Sequence, residues 1–245
     1  MQEFEHLNFD QELLQNSKIL IVEDDRVQRL YLQEIFEKFG FIHVNTAANG
    51  QEGWQMTLDF SPDLVILDMN MPIMDGFSYC KKAREHSEHK KTVILVQTGL
   101  TDLKEKAAIF KAGATDYVTK PLDTYEISAR SFIHLKNAYA LKELNNFNKR
   151  VKNELIAAKN LIELSLPNSK SIKKLKEDYN IEVASKFEST QEMGGDFWGF
   201  HPISKNQVAV YSIDVSGHGI DSALNALRIH TLIDSNADLC KKPDI

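Results

Sequence analysis

Cysteine is almost missing from this 245-residue chain, which holds only Cys80 and Cys240. Two thiols are too few for a disulfide framework, and two so distant suit a reducing cytosol. Both read as free thiols in a reducing compartment, so a cytoplasmic location is expected. No apolar run approaches the ~18 residues that cross a bilayer. Residues 1–17 are acidic and polar, unlike a secretory leader, and no membrane role is expected. Proline and glycine are both absent between Pro121 and Pro167, so nothing in that stretch stops a helix. The composition present is that of a globular protein: 42% hydrophobic, 26% charged, mean hydropathy −0.33. The length suits one large domain or two small ones.

The net charge of −6 is uneven. Residues 136–176 carry 10 Lys/Arg against 3 Asp/Glu, leaving 19 against 32 elsewhere. A basic stretch can touch nucleic acid, but it is more often the solvated face of a helix. No recognition motif accompanies it, so no nucleic-acid contact is expected, and a transcriptional role ranks last.

Residues 18–135 alternate strand and helix patterns. Strands are expected over 18–22, 43–47, 64–67, 92–97 and 117–118. Helices are expected over 27–39, 52–59, 77–86 and 102–112, and from 124 onward. Five βα units imply a parallel sheet wrapped by helices. The helix from 124 runs on. A heptad frame places Leu141, Asn148, Leu155 and Ile162 at a, and Leu144, Val151, Ala158 and Ser165 at d. Six of these eight are apolar, which predicts a coiled coil, and Asn148 suits register-setting in a parallel dimer. The alternative is a helix packed along its own domain.

After Pro167 the pattern changes. Residues 170–178 are charged. Strands are expected over 181–187, 197–200 and 208–213. A Gly-rich turn and a helix follow over 217–232. The expected organisation is an N-terminal segment (1–17), an α/β domain (18–135), a helical linker (136–166) and part of a second domain (167–245).

Chemistry-bearing residues fall at the expected strand ends. Asp68 closes the apolar run 64–67. Glu23, Asp24 and Asp25 follow the first strand, Thr98 follows the fourth, and Lys120 follows the fifth. Open α/β sheets place their chemistry at the carboxyl ends of strands. Clustered carboxylates with one lysine point to a phosphoryl-accepting Mg²⁺ pocket. Asp25 is one acid more than that pocket needs, and a helix N-cap is its alternative use.

These residues resemble the receiver domain of two-component response regulators. The resemblance rests on Ile21-Val22-Glu23-Asp24-Asp25, on Asp68 with Met71-Pro72 and Met74-Asp75-Gly76, on Thr98, and on the segment from Gly113 through Asp116-Tyr117-Val118-Thr119 to Lys120-Pro121. The intervals of 30 residues from Asp68 to Thr98 and 22 from Thr98 to Lys120 fit it. It implies a flavodoxin-like five-stranded sheet of order 2-1-3-4-5. It implies Asp68 as the acceptor of a phosphoryl group from a histidine kinase or phosphotransfer protein. Asp24, Asp68 and the Asn70 carbonyl would hold Mg²⁺, with Glu23 acting through water. Lys120 would serve as counter-charge, and Thr98 and Tyr117 as the switch. Gly99 departs from the small side chain common in the family after the switch threonine.

Residues 181–232 resemble the start of the metal-dependent serine/threonine phosphatases of the bacterial stress-response type. The matching motifs are Met193-Gly194-Gly195-Asp196-Phe197-Trp198 and Asp214-Val215-Ser216-Gly217-His218-Gly219, with Asp196 and Asp214 18 residues apart. The resemblance implies an incomplete α+β sandwich, with Asp196, Asp214 and the Val215 carbonyl binding Mn²⁺ or Mg²⁺. The substrate would be a phosphoserine or phosphothreonine protein such as an anti-sigma-factor antagonist. His218 reads as a helix-start residue. Gly199 stands where the family often carries a second acid, and the family's later metal ligands do not occur before Ile245. The chain as given is therefore expected to be inactive as a phosphatase. A phosphorylation-switched adaptor is the alternative.

Overall fold

The structure, a computed structural model, describes residues 11–99, 103–185, 194–217 and 219–236. The chain divides into two compact units, Met1–Asn145 and Asn146–Ile245.

Unit 1 holds α1 (Gln11–Asn16), β1 (Lys18–Val22), α2 (Arg26–Lys38), β2 (His43–Ala47), α3 (Gly50–Phe60), β3 (Leu64–Asp68), α4 (Gly76–Glu85), β4 (Val93–Thr98), α5 (Leu103–Ala112) and β5 (Asp116–Thr119). It also holds the first part of α6 (Thr124–Ser165). The strands pair in parallel in the order β2-β1-β3-β4-β5. This is the flavodoxin-like arrangement.

Alternation along the central strands fills two cores. Ile19, Ile21, Leu64, Ile66 and Leu95 face the layer with Phe36 of α2 and Ile127 and Leu135 of α6. Leu20, Val22, Val65, Leu67 and Val96 face Trp54, Tyr79, Cys80 and Ile109 of α3, α4 and α5. Every residue of β3 and β4 is buried, as expected of inner parallel strands covered on both faces.

Several expectations shift by physical cause. Thr98 is the last residue of β4 because it pairs with Thr119, and β5 lengthens to four residues against the same partner. Leu13 and Leu14 of α1 are buried in the first core, so this segment packs with the sheet although its neighbours are polar.

Local caps set the helix starts. Asp25 accepts from Gln28 N–H at 2.8 Å, so its use as an N-cap is realised. Asn49 and Asp75 accept from Glu52 and Ser78 N–H in the same way.

A charged network holds β5 to α6. Asp116 Oδ2 meets Arg130 Nη1 at 2.8 Å and His134 Nε2 at 2.9 Å. Burial alone would raise the Asp116 pKa, but these hydrogen bonds, the Tyr117 N–H and the Arg130 charge outweigh it and hold the carboxyl below its usual value. A depressed carboxyl stabilises the fold above its unfolded value of about 3.9 and loses that contribution as pH falls through the folded value. Asp116→Asn therefore lowers Tm at neutral pH, and the gap from wild type closes as pH falls through the depressed folded value of Asp116. Thermal melts of both proteins across pH check this.

Cys80 is fully buried in the second core. Burial pushes its thiol up to about 12, against a smaller opposing effect of Arg84. At about pH 8 Cys80 resists iodoacetamide in the folded chain and reacts after denaturation. Peptide mapping separates it from Cys240, which lies outside the described residues.

Unit 2 holds the rest of α6, then α7 (Ser169–Tyr179), β6 (Asp196–Ser204), β7 (Gln207–Asp214) and α8 (Ile220–Ser235). Helix α6 is 42 residues long, in keeping with the missing breakers. The charged stretch after Pro167 forms α7, capped by Asn168 and with Leu175 buried. The strand expected over 181–187 is corrected. Residues 181–185 are not a strand, because alternation at Ile181 and Val183 finds no pairing partner among the described residues, and 186–187 lie outside them. β6 and β7 pair antiparallel. Phe197, Ala223, Ala226 and Ile162 form a small core. A two-stranded sheet with helices is what the described residues of this unit contain; no sandwich is seen among them.

Candidate functional site

The sheet order reverses direction between β1 and β3. α2 leaves β1 toward one face and α3 approaches β3 from the other, which opens a crevice beyond their carboxyl ends. Glu23 and Asp24 emerge there from β1, and Asp68 ends β3. Oxygens of these three carboxylates lie within 4.8 Å of one another. Glu23 is 1% exposed and Asp68 5%, whereas Asp24 is open to solvent.

Lys120 joins them from the end of β5. Its Nζ lies 3.0 Å from Asp68 Oδ1 and 3.3 Å from Glu23 Oε2. The Lys120–Pro121 peptide bond is cis. Burial and then the charge of Asp68 raise the Glu23 pKa, with Lys120 opposing. Burial alone would lower Lys120, but the hydrogen bond and charge of Asp68, then those of Glu23, outweigh it and raise it. Three carboxyl groups converge here on a single lysine. Hard oxygen donors so grouped suit Mg²⁺, which takes one or two carboxylates and keeps several waters.

The loop after Asp68 is tightly built. Met69 N–H donates to Asp68 Oδ1 at 2.9 Å. Gly76 N–H donates to Met69 O, and a Cβ on Gly76 would sit 2.7 Å from Asp68 O, so a side chain there would displace the strand end. Asn70 is exposed in this loop. Ile73 takes φ 72° in a three-residue turn closed by Met74 N–H to Pro72 O at 2.8 Å. A β-branched residue in that region stores strain of about 1–3 kcal/mol.

The switch candidates occupy the neighbouring strand ends. Thr98 is 1% exposed at the end of β4, and its carbonyl accepts from Lys120 N–H at 2.8 Å. Tyr117 pairs with Val96 on β5, edge-on to Phe110 at 5.7 Å, with Lys106 Nζ 5.1 Å above its ring.

Arg29 was not singled out in the sequence, yet its Nη1 donates to Glu23 O at 2.6 Å and Asp24 O at 3.2 Å, fixing the acidic loop. The available signal was a basic residue in the first turn of α2, where the helix dipole disfavours it.

In unit 2, Asp196 and Asp214 stand directly opposite across β6 and β7, both exposed. Like charges so placed repel unless a cation lies between them. Gly195 lets the Val215 carbonyl come close, since a Cβ there would meet it at 2.6 Å. Two carboxylates and a carbonyl supply oxygens for one cation rather than two. At Gly199, the Tyr211 side chain fills the place a Cβ would take, and its hydroxyl meets His230 Nδ1 at 2.9 Å. His218 lies outside the described residues.

Comparison with known proteins finds matches to the part of the chain that carries the first site. The Response regulator receiver domain family matches residues 19–131. Transcriptional regulatory protein YvrH of Bacillus subtilis is 33% identical over 133 residues, covering 54% of this chain and 55% of that protein. The DNA-binding dual master transcriptional regulator RpaA of Synechocystis is 34% identical over 113 residues, 46% of each. The chain spans about half the length of the curated relatives it matches. The solved receiver domain of a Francisella response regulator is 29% identical, with a TM-score of 0.47, covering 50% of this chain and 98% of that one. Residues 19–131 are a response regulator receiver domain, and they carry the receiver function of two-component signalling. No helix among the described residues is long and apolar enough to cross a membrane.

Proposed function

We propose that Asp68 accepts a phosphoryl group from the phosphohistidine of a histidine kinase or phosphotransfer protein, and that unit 2 is the output it controls. The observation that carries this reading is Asp68 held against Lys120 at the mouth of a three-carboxylate cluster. An Asp68 oxygen bonds to phosphorus as the phosphorus–nitrogen bond breaks, and the histidine keeps the electron pair. Lys120, already on Asp68 Oδ1, is placed to move onto the incoming phosphoryl oxygens. Glu23, Asp24, Asp68 and the Asn70 carbonyl would hold Mg²⁺, which when bound offsets charge developing on those oxygens. Thr98, at the adjacent strand end, then donates its hydroxyl to the phosphoryl group. Tyr117 responds by repacking against α5, a local electrostatic change that biases a two-state surface.

Loss of the cation ligand tests the pocket. Asp24→Asn weakens Mg²⁺ binding at least about tenfold in calorimetry and slows phosphoryl transfer in step, while the fold persists. Unchanged Mg²⁺ affinity would refute this ligand set.

For unit 2 we favour a serine/threonine phosphatase-type output, acting on a phosphoprotein such as an anti-sigma-factor antagonist. The cross-strand pair Asp196 and Asp214, with Val215, supports it, and these residues would hold Mn²⁺ or Mg²⁺. Self-association along α6 as a parallel coiled coil would pass the signal on. A second reading, a phosphorylation-switched adaptor with an inactive phosphatase-like domain, is favoured by the Tyr211 side chain filling the place of an acid at Gly199. Assayed on full-length protein, Mn²⁺-dependent hydrolysis of a phosphoserine protein, lost in Asp196→Asn, selects the first reading. Its absence there, together with phosphorylation-dependent partner capture, selects the second.

A further inference from the structure

We infer that the C-terminal end of the α6 stripe has two mutually exclusive partners, so self-association along α6 competes with closure of the unit 2 core. The inference rests on the dimer reading above and adds its regulation. Within unit 2, seam positions Asn148, Val151 and Leu155 face solvent, Val151 at 37% and Leu155 at 38% exposure. One heptad beyond Leu155, on the same stripe, Ile162 is 5% exposed against Phe197, Ala223 and Ala226, and Ala158 packs on that cluster. One stripe is thus open at its start and covered at its end.

The occupant that fits the open part is a second copy of this chain. In the heptad frame Glu154 falls at g and Lys159 at the following e, so two parallel copies in register pair Glu154 of each with Lys159 of the other. Asn148 at a meets its own copy, which fixes that register. The open seam from Leu141 to Leu155 covers only about two heptads, fewer than the three to four that sustain a coiled coil. Adding Ala158 and Ile162 lengthens it toward that requirement. Those side chains cannot enter a seam while they pack against Phe197. Association through Ile162 therefore frees the β6–β7–α8 layer, which carries Asp196 and Asp214, and by reciprocity a closed core weakens association.

The test uses the full chain with Cys240→Ser. Val151→Cys reports the open seam and Ser165→Cys, at a d position outside the small core, reports the extended one. Interchain disulfide at Val151→Cys is expected whether or not Phe197 is intact. At Ser165→Cys it is expected to form at least tenfold faster when Phe197→Ala is added. Equal rates at Ser165→Cys in both backgrounds, with Val151→Cys still cross-linking, overturn the competition and leave the dimer standing. No cross-link at Val151→Cys in either background overturns both. If Phe197→Ala aggregates, hydrogen exchange on the chain with Phe197 intact decides. β7 amides should exchange faster as chain concentration rises, and Leu155→Lys should abolish that dependence. Exchange that slows or stays constant with concentration overturns the inference.

Discussion

Asp68→Asn abolishes phosphoryl transfer to this chain, by a factor on the order of 10³ or more, because the amide lacks the nucleophilic carboxylate oxygen. The fold tolerates the change. Asparagine matches the shape of aspartate, its carbonyl oxygen can still accept from Met69 N–H, and the repulsion with Glu23 and Asp24 falls. Lys120 keeps Glu23 as a partner at 3.3 Å. Transfer from a labelled phosphohistidine donor, measured beside a thermal melt, separates lost chemistry from lost structure. A Tm within a few degrees of wild type with no incorporation is the expected pair of results.

Phe36→Ala has the largest expected effect on stability. Phe36 is fully buried on α2, packed edge-on to Phe41 at 5.6 Å and set among side chains of β1, β3 and α6. Removing it loses the transfer free energy of the ring and leaves a cavity that rigid strands on one side cannot fill. The cost is about 3–5 kcal/mol. For a unit of this size that is a Tm loss of roughly 10 °C or more. Denaturant unfolding should show a lower midpoint with an unchanged slope. α2 also supplies Arg29 to the acidic loop, so Mg²⁺ affinity falls as the melt approaches working temperature.

The first site was legible because its signals are local. An apolar run ending in Asp68, acids after β1 and a lysine after β5 each mark a strand end, and sheet order brings those ends together. What the sequence concealed depends on pairing and long side-chain reach. Thr98 joins β4 because Thr119 pairs with it. Arg29 bonds backbone carbonyls, which leave no trace in residue identity. Leu13 and Leu14 sit in a polar stretch, and only the core they enter reveals their use. α7 was hidden by its lysines, although Ile172, Leu175 and Tyr179 keep helical spacing. The second site was legible as two motifs; their direct opposition across β6 and β7 required the hairpin register.

The central claim is that Asp68 is the phosphoryl acceptor, and trapping the acyl phosphate tests it most directly. The phosphorylated chain is reduced with borohydride, which converts a phosphorylated aspartate to homoserine, and the modified residue is located by peptide mass spectrometry. One modified residue is expected, at position 68, dependent on Mg²⁺ and absent from Asp68→Asn. Modification at Glu23, Asp24 or another carboxylate, or undiminished labelling of Asp68→Asn, would contradict the account.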